Sequence, residues 1–310
     1  MFWCLPIKVS LKKIVTRIAI AILALVGILL IAMATCWIYF HPPLSLHEEA
    51  IVYRERDGQS LTLEVVQPKN PNGKGIIVVV SGSWKSDPED FETWYAAPFL
   101  RTGFTVFAVS HISQPKVTIT EIAGDIQYAI RFIRFHAANW KIDPNALGIT
   151  GGSSGGHLSL FAATMSDRGN SPSDHPIDHV PSDVQAVAAF FPVTDLLNLG
   201  DSTENPGDGG PPISYVKGFG PGATNPKKWQ SIGHHLSPIY HIKNTLPPIL
   251  IYHGSGDTLV PLDQSTRFKE AADKKSSGPV ELHIRENAGH GYLKMMIDIH
   301  HFARFFEANL

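Results

Sequence analysis

The stretch Thr150-Gly151-Gly152-Ser153-Ser154-Gly155-Gly156-His157 constrains the fold of this 310-residue chain more than any other. Two pairs of glycines flank two adjacent serines. A backbone needs glycines at such density where it turns sharply or where other segments come very close. Just before the run, Asp143-Pro144 marks a turn and Ala146 to Thr150 reads as a short strand. Just after it, Leu158 to Met165 reads as helix. Strand, tight turn, helix is the setting in which Gly-x-Ser-x-Gly presents a serine nucleophile. The run fits that pattern in two frames, one centred on Ser153 and one on Ser154, and the glycines alone do not choose between them.

The rest of the chain fits the same setting. Ala50 to Glu55 and Ser60 to Val66 read as strands joined at the turn pair Asp57-Gly58. Ile76 to Val80 is a β-branched run too short for a helix, and it predicts a strand buried on both faces. Phe104 to Ser110 is a second such strand. Thr118 to Ala138 carries Ile122, Ile126, Ala129, Ile130 and Ile133 at helical spacing. Strands then follow at Val184 to Phe191, Ile249 to His253 and Val280 to Arg285, with helices at Asp263 to Lys274 and Leu293 to Ala308. This alternation predicts an α/β fold, a mostly parallel sheet with helices on both faces. Asp195 to Leu236 breaks the rhythm. It is rich in Gly, Pro, Asn and Ser, with Gly209-Gly210-Pro211-Pro212 at its centre, and reads as an insertion near the C-terminal edge of the sheet.

The N-terminus is a separate unit. Residues 1–17 form a basic tail with Lys8, Lys12, Lys13 and Arg17. Residues 18–40 are an uncharged run of 23. At about 1.5 Å per residue that run spans a hydrocarbon core of about 30 Å. The next basic residue is Arg54, so the positive-inside rule exports everything after Phe40, leaving 41–310 as the catalytic domain. Ala32-Met33-Ala34 also fits a cleavage site, and Cys36 loosely resembles a lipid attachment site. Membrane anchor, cleaved signal and lipidation all place the remaining domain outside the cytoplasm, on the periplasmic or extracellular side. The other cysteine, Cys4, also lies in this segment, so the domain has neither disulfide nor thiolate metal site. A net charge of -2 argues against nucleic acid as a partner.

A serine hydroxyl needs a base within hydrogen-bond reach and a third group to orient that base. Asp257 follows the strand Ile249 to His253, and His290 follows Val280 to Arg285. The order serine, aspartate, histidine is one of three known orders for this arrangement. Asp263 is a rival acid, and His253 is better suited to orienting a loop. Ser81-Gly82-Ser83-Trp84, directly after the strand Ile76 to Val80, is the candidate oxyanion loop. Asp174, His175, Asp178 and His179 could ligate a metal, but Pro172, Pro176 and Pro181 break the segment into a solvated loop, and no metal is assigned.

From about Leu46 onward the chain resembles the α/β-hydrolases of the esterase/lipase kind, close to the prolyl-oligopeptidase-related and feruloyl-esterase-like carboxylesterases. The resemblance rests on Gly151 to Leu158, on His253-Gly254-Ser255-Gly256-Asp257-Thr258-Leu259-Val260-Pro261 and on Ala288-Gly289-His290-Gly291-Tyr292. It implies an α/β-hydrolase fold, Ser153 as nucleophile, His290 as base and Asp257 as its orienting acid. It also implies backbone N–H donors at Gly82, Ser83 and Ser154 for the oxyanion. The family loop His-Gly-Gly-Gly-Trp appears here as Val80-Ser81-Gly82-Ser83-Trp84, with two glycines replaced by serine. The implied reaction is cleavage of a carboxylic ester through an acyl-enzyme, without cofactor or metal. The implied substrate is a small-molecule or polysaccharide-linked ester. A serine peptidase would need an accessory domain for which about 270 residues leave no room. A catalytically silent binding module is the reading that the altered oxyanion loop keeps open.

Overall fold

The computed structural model describes residues 11–43, 45–169 and 173–310. The tail residues 1–10, with Cys4 and Lys8, and Pro172 lie outside the described residues. Strands β1 (Ser45–Arg56) and β2 (Gln59–Pro68) form a hairpin whose two turn residues, Asp57 and Gly58, have φ of 48° and 71°. Positive φ at both positions is the two-residue turn that suits the twist of paired strands, which is why Asp-Gly stands there. Strands β3 (Gly75–Val79), β4 (Thr105–Val109), β5 (Leu147–Gly152), β6 (Ala186–Phe190), β7 (Ile249–Gly254) and β8 (Val280–Arg285) complete one eight-stranded sheet. The order is β1-β2-β4-β3-β5-β6-β7-β8. The pairs β1/β2 and β2/β4 are antiparallel, and every later pair is parallel. β3, β4 and β6 are buried at every position, as continuous β-branched and alanine runs require of central parallel strands.

Helices cover both faces. On one lie α3 (Ile119–Phe135), α4 (Ser154–Thr164) and α6 (Asp263–Lys275), packed on Ile77, Ile149 and Ile251. On the other lie α2 (Thr93–Arg101) and α7 (Met295–Asn309), where Phe99, Phe302 and Phe306 meet Ile76, Val106 and Phe190. Thr118 caps α3 in a reciprocal box with Glu121, so the helix starts where the sequence signal places it. The N-terminal hairpin is clamped to α3 by Arg54 and Arg56, which reach the buried Asp125 at 2.8 and 2.9 Å.

The structure adds to and shifts several sequence expectations, and β1 begins at Ser45 rather than Ala50. α2 was not foreseen: its aromatic run Trp94, Tyr95 and Phe99 and its interior Pro98 hide the helical period. α4 starts at Ser154 rather than Leu158, directly after the first serine of the glycine run. The 195–236 segment is ordered, with a 3₁₀ turn at Ile213–Phe219 and α5 at Pro226–Leu236, and it buries Leu196, Phe219, Trp229 and Leu236. Helix α1 (Leu11–Phe40) contains, in Lys12–Ile38, the one stretch among the described residues long and apolar enough to cross a membrane, and none of it is buried.

Candidate active site

The C-terminal ends of the parallel strands share one edge of the sheet, and the sequence-predicted residues converge there. Ser153 sits between β5 and α4 with φ 53° and ψ -119°, a region that non-glycine residues avoid. Its neighbours explain the glycines. A Cβ on Gly151 would lie 2.5 Å from the Gly155 carbonyl carbon, and one on Gly155 would lie 2.8 Å from the Val79 carbonyl oxygen. One on Gly156 would lie 3.0 Å from the Phe190 oxygen. The elbow is wedged between the ends of β3 and β6, and only hydrogen fits at those positions. Five of the eight described non-glycine residues with positive φ surround this edge: Ser83, Trp84, Ser153, Phe191 and Asn287.

Ser153 Oγ lies 3.1 Å from His290 Nε2, and His290 Nδ1 lies 2.7 Å from Asp257 Oδ2. The carboxylate can only accept, so Nδ1–H donates to it and Nε2 is left to face the serine hydroxyl. Phe191 packs against the imidazole with ring centroids 4.4 Å apart. Asp257 is buried, and burial would raise its pKa. The His253 ring 3.6 Å away, the hydrogen bond from His290 and the Val260 amide outweigh that and hold the carboxyl well below the usual range. The Leu259 amide adds a further bond to Oδ1 at 3.0 Å. His253 Nε2–H donates to the Val260 carbonyl at 2.7 Å, so this ring braces the loop that carries Asp257. Asp263 is turned away and pairs with Arg267 at 3.1 Å.

The two serines of the glycine run point to different places. Ser154 is buried, and its hydroxyl lies 3.1 Å from Ser81 Oγ instead of near His290. The loop after β3 is a tight turn closed by reciprocal bonds between Gly82 and Lys85. Its central residues Ser83 and Trp84 have φ of 55° and 54°. Here the sequence expectation is corrected. The Gly82 N–H donates to the Lys85 carbonyl at 2.9 Å and is not free for an oxyanion, whereas among the described residues the Ser83 and Ser154 amides have no such commitment. Residues to which the sequence reading gave no role hold this turn. Gln114 donates to the Ser83 carbonyl at 3.3 Å, Tyr215 meets Ser83 Oγ at 3.1 Å, and Trp84 donates its ring N–H to His157 Nδ1 at 3.0 Å. Only His157 could have been suspected, because it belongs to the glycine-run segment.

Two hollows flank the serine. A small pocket of about 40 Å³ touches Ser153 and Ser154 and is walled by Trp84, Val193, Leu199, Tyr215 and Leu259. A wider cleft of about 320 Å³ runs from Gly152 and Gly82 past Asp90, Phe91, Glu92, Trp94 and Tyr95. Among the described residues no group of three or more His, Cys, Asp or Glu is arranged to hold a metal. The Asp178 and His179 segment is a 3₁₀ turn, Pro176–His179.

Residues 63–272, more than half of the chain, match the BD-FAE family. The chain belongs to the BD-FAE family. This BD-FAE member is 29% identical over 179 residues to the "Probable carboxylic ester hydrolase LipM" of Mycobacterium tuberculosis, covering 57% of this chain and 39% of LipM. It is 26% identical over 222 residues to the esterase LipQ of the same organism, covering 70% of this chain and 50% of LipQ. The chain thus spans half or less of the length of these curated relatives. Among solved structures, Thermogutta terrifontis esterase 2 phosphoramylated by tabun superposes with a TM-score of 0.65 and 25% identity, covering 86% of this chain and 96% of that one. The fold of this BD-FAE member is that of the α/β-hydrolases.

The low carboxyl pKa of Asp257 has a consequence for stability. A carboxylate whose folded pKa is depressed stabilises the fold fully above its unfolded pKa of about 4, and that contribution is lost as pH falls below it. Urea denaturation of the full chain at pH 6 and pH 3 is expected to show a smaller drop in stability for Asp257→Asn than for the wild type. Equal drops would show that this carboxyl titrates normally.

Proposed function

We propose that this protein is a serine esterase that releases short acyl groups from hydroxylated alcohols through an acyl-enzyme on Ser153. The observation that carries the reading is the hydrogen-bonded run Ser153–His290–Asp257, 3.1 and 2.7 Å, on a strained elbow beside two uncommitted amides. The names of LipM and LipQ support the reaction class. In the proposed sequence, His290 Nε2 takes the Ser153 proton as Oγ attacks the ester carbonyl. Asp257 holds the imidazole with Nε2 free and stabilises the imidazolium that forms. The Ser83 and Ser154 N–H groups receive the developing oxyanion, each worth about 3 kcal/mol in comparable sites. His290 then returns the proton to the leaving alcohol, and water, deprotonated by the same ring, cleaves the acyl-enzyme.

The hollows sort the two halves of the ester. The small pocket has about 40 Å³ of accessible space, against about 320 Å³ in the wider cleft. Its narrowness and its apolar walls, Trp84, Val193, Leu199 and Leu259, suit a short acyl chain. The wider cleft, with Asp90 and Glu92 beside Phe91 and Trp94, offers acceptors for hydroxyls and apolar faces for a ring, as a sugar alcohol requires. Helix α1 acts as a membrane tether in this reading, with a cleaved signal as the alternative.

Three measurements test it. A fluorophosphonate applied to the detergent-solubilised full chain should label Ser153, and Ser153→Ala and His290→Ala should each lower turnover of an aryl acetate by about 10⁴-fold or more. Labelling of Ser154, or none in a folded sample, would sink the assignment, and cleavage of peptides without ester preference would favour a peptidase. Leu199→Ala, which enlarges the small pocket, should move the optimum from acetate towards butanoate, and an unchanged optimum would place the acyl group elsewhere. Alkaline carbonate extraction of membranes should leave the full-length chain in the pellet. A shortened, extractable form would show that the segment is cleaved.

A further inference from the structure

The loop that carries one oxyanion donor and the elbow that carries the other are joined by a chain of side chains. Ser81, two residues after β3, has its Oγ 3.1 Å from Ser154 Oγ and 2.9 Å from His111 Nε2. His111 follows β4 and is buried, and its Nδ1 lies 2.9 Å from the Ile112 carbonyl. A carbonyl can only accept, so Nδ1 carries the hydrogen. Burial lowers the ring's pKa to about 4, a backbone bond to Ile112 opposing this, so the ring is neutral near pH 7. Nε2 must then accept, and the Ser81 hydroxyl donates to it. The Ser81 lone pair is in turn left to accept from the Ser154 hydroxyl. Each hydrogen in the chain has one place to go.

The chain crosses where the two backbones also pack closely, a Cβ on Gly155 lying 2.8 Å from the Val79 oxygen and 3.4 Å from the Ser81 oxygen. Ser83 and Ser154 come from different crossovers, and their amides must sit within a few tenths of an ångström of their working separation. Ser81 is two residues from Ser83, and Ser154 bears the second amide itself. We propose that His111 is a positioning residue for the oxyanion hole: through Ser81 and Ser154 it sets the distance between the Ser83 and Ser154 N–H groups. This rests on Ser153 being the nucleophile. A buried histidine needed only for packing would be satisfied by the Ile112 carbonyl and a filled volume.

The test uses the detergent-solubilised full chain and p-nitrophenyl acetate. Ser81→Ala, Ser154→Ala and His111→Phe should each lower kcat by about 10- to 100-fold, because a displaced donor costs less than a deleted one. KM should stay within about twofold. His111→Gln, whose Oε1 can accept from Ser81, should recover kcat to within about threefold of wild type. The pair Ser81→Ala with His111→Phe should be no slower than the slower single variant, because the residues act as one unit. A kcat within twofold of wild type for folded Ser81→Ala and Ser154→Ala overturns the proposal, as does a loss confined to KM or losses that multiply. If His111→Phe does not fold, the two serine variants decide. Ser153→Ala serves as control. Wild-type turnover in that variant would bring down the nucleophile assignment itself, whereas an inactive Ser153→Ala beside fully active Ser81→Ala removes only the positioning role.

Discussion

Everything at this site depends on holding one serine in a backbone conformation it would not choose. Ser153 at φ 53° and ψ -119° costs about 1 to 3 kcal/mol. The structure meets that cost by close packing: Gly151 against Gly155, Gly155 against the Val79 carbonyl and Gly156 against the Phe190 carbonyl. These contacts tie the elbow to the ends of β3 and β6, its neighbours on either side of β5. The hydroxyl is thereby aimed out of the sheet edge, and the first amide of α4 sits beside it.

The same geometry explains what could be read in advance. Glycine pairs at a strand end mark close approach whatever surrounds them, so the elbow was visible in eight residues. Asp257 and His290 were visible because each follows a strand and the sheet gathers strand ends. The choice of serine was not decided by the glycines and needed the family pattern. It is explained by direction: Ser153 faces His290 and Ser154 faces Ser81. His111 and Gln114 carried no signal, since nothing local distinguishes a polar residue after β4 that reaches across to Ser81 or Ser83. Gly82 was expected as a donor because the family resemblance implies backbone donors in the loop after β3. Its closure on Lys85 depends on positive φ at Ser83 and Trp84, which serine and tryptophan do not announce.

Charge is distributed sparingly. Asp257 keeps its negative charge in a buried place because two backbone amides and two imidazole rings face it. The histidines bonded to the turn after β3, His111 through Ser81 and His157 through Trp84, are a different kind. Burial lowers the pKa of both His111 and His157 to about 4, with a backbone bond opposing in each case, and as neutral rings each has one fixed donor and one fixed acceptor. His157 uses them to join Trp84 to the Leu236 carbonyl at the end of α5. Fixed dipoles of this sort hold a turn without adding a positive charge next to Ser153.

The bond between Ser83 and Tyr215 gives the insertion two roles that cannot be separated. Tyr215 walls the small pocket and also grips the strained turn next to it. A change of residue there alters the room in the small pocket and the grip on the turn in the same stroke. The insertion is therefore not an interchangeable module. A chain that redraws this segment must find another hold for Ser83, and on the proposed function selectivity and speed then drift together.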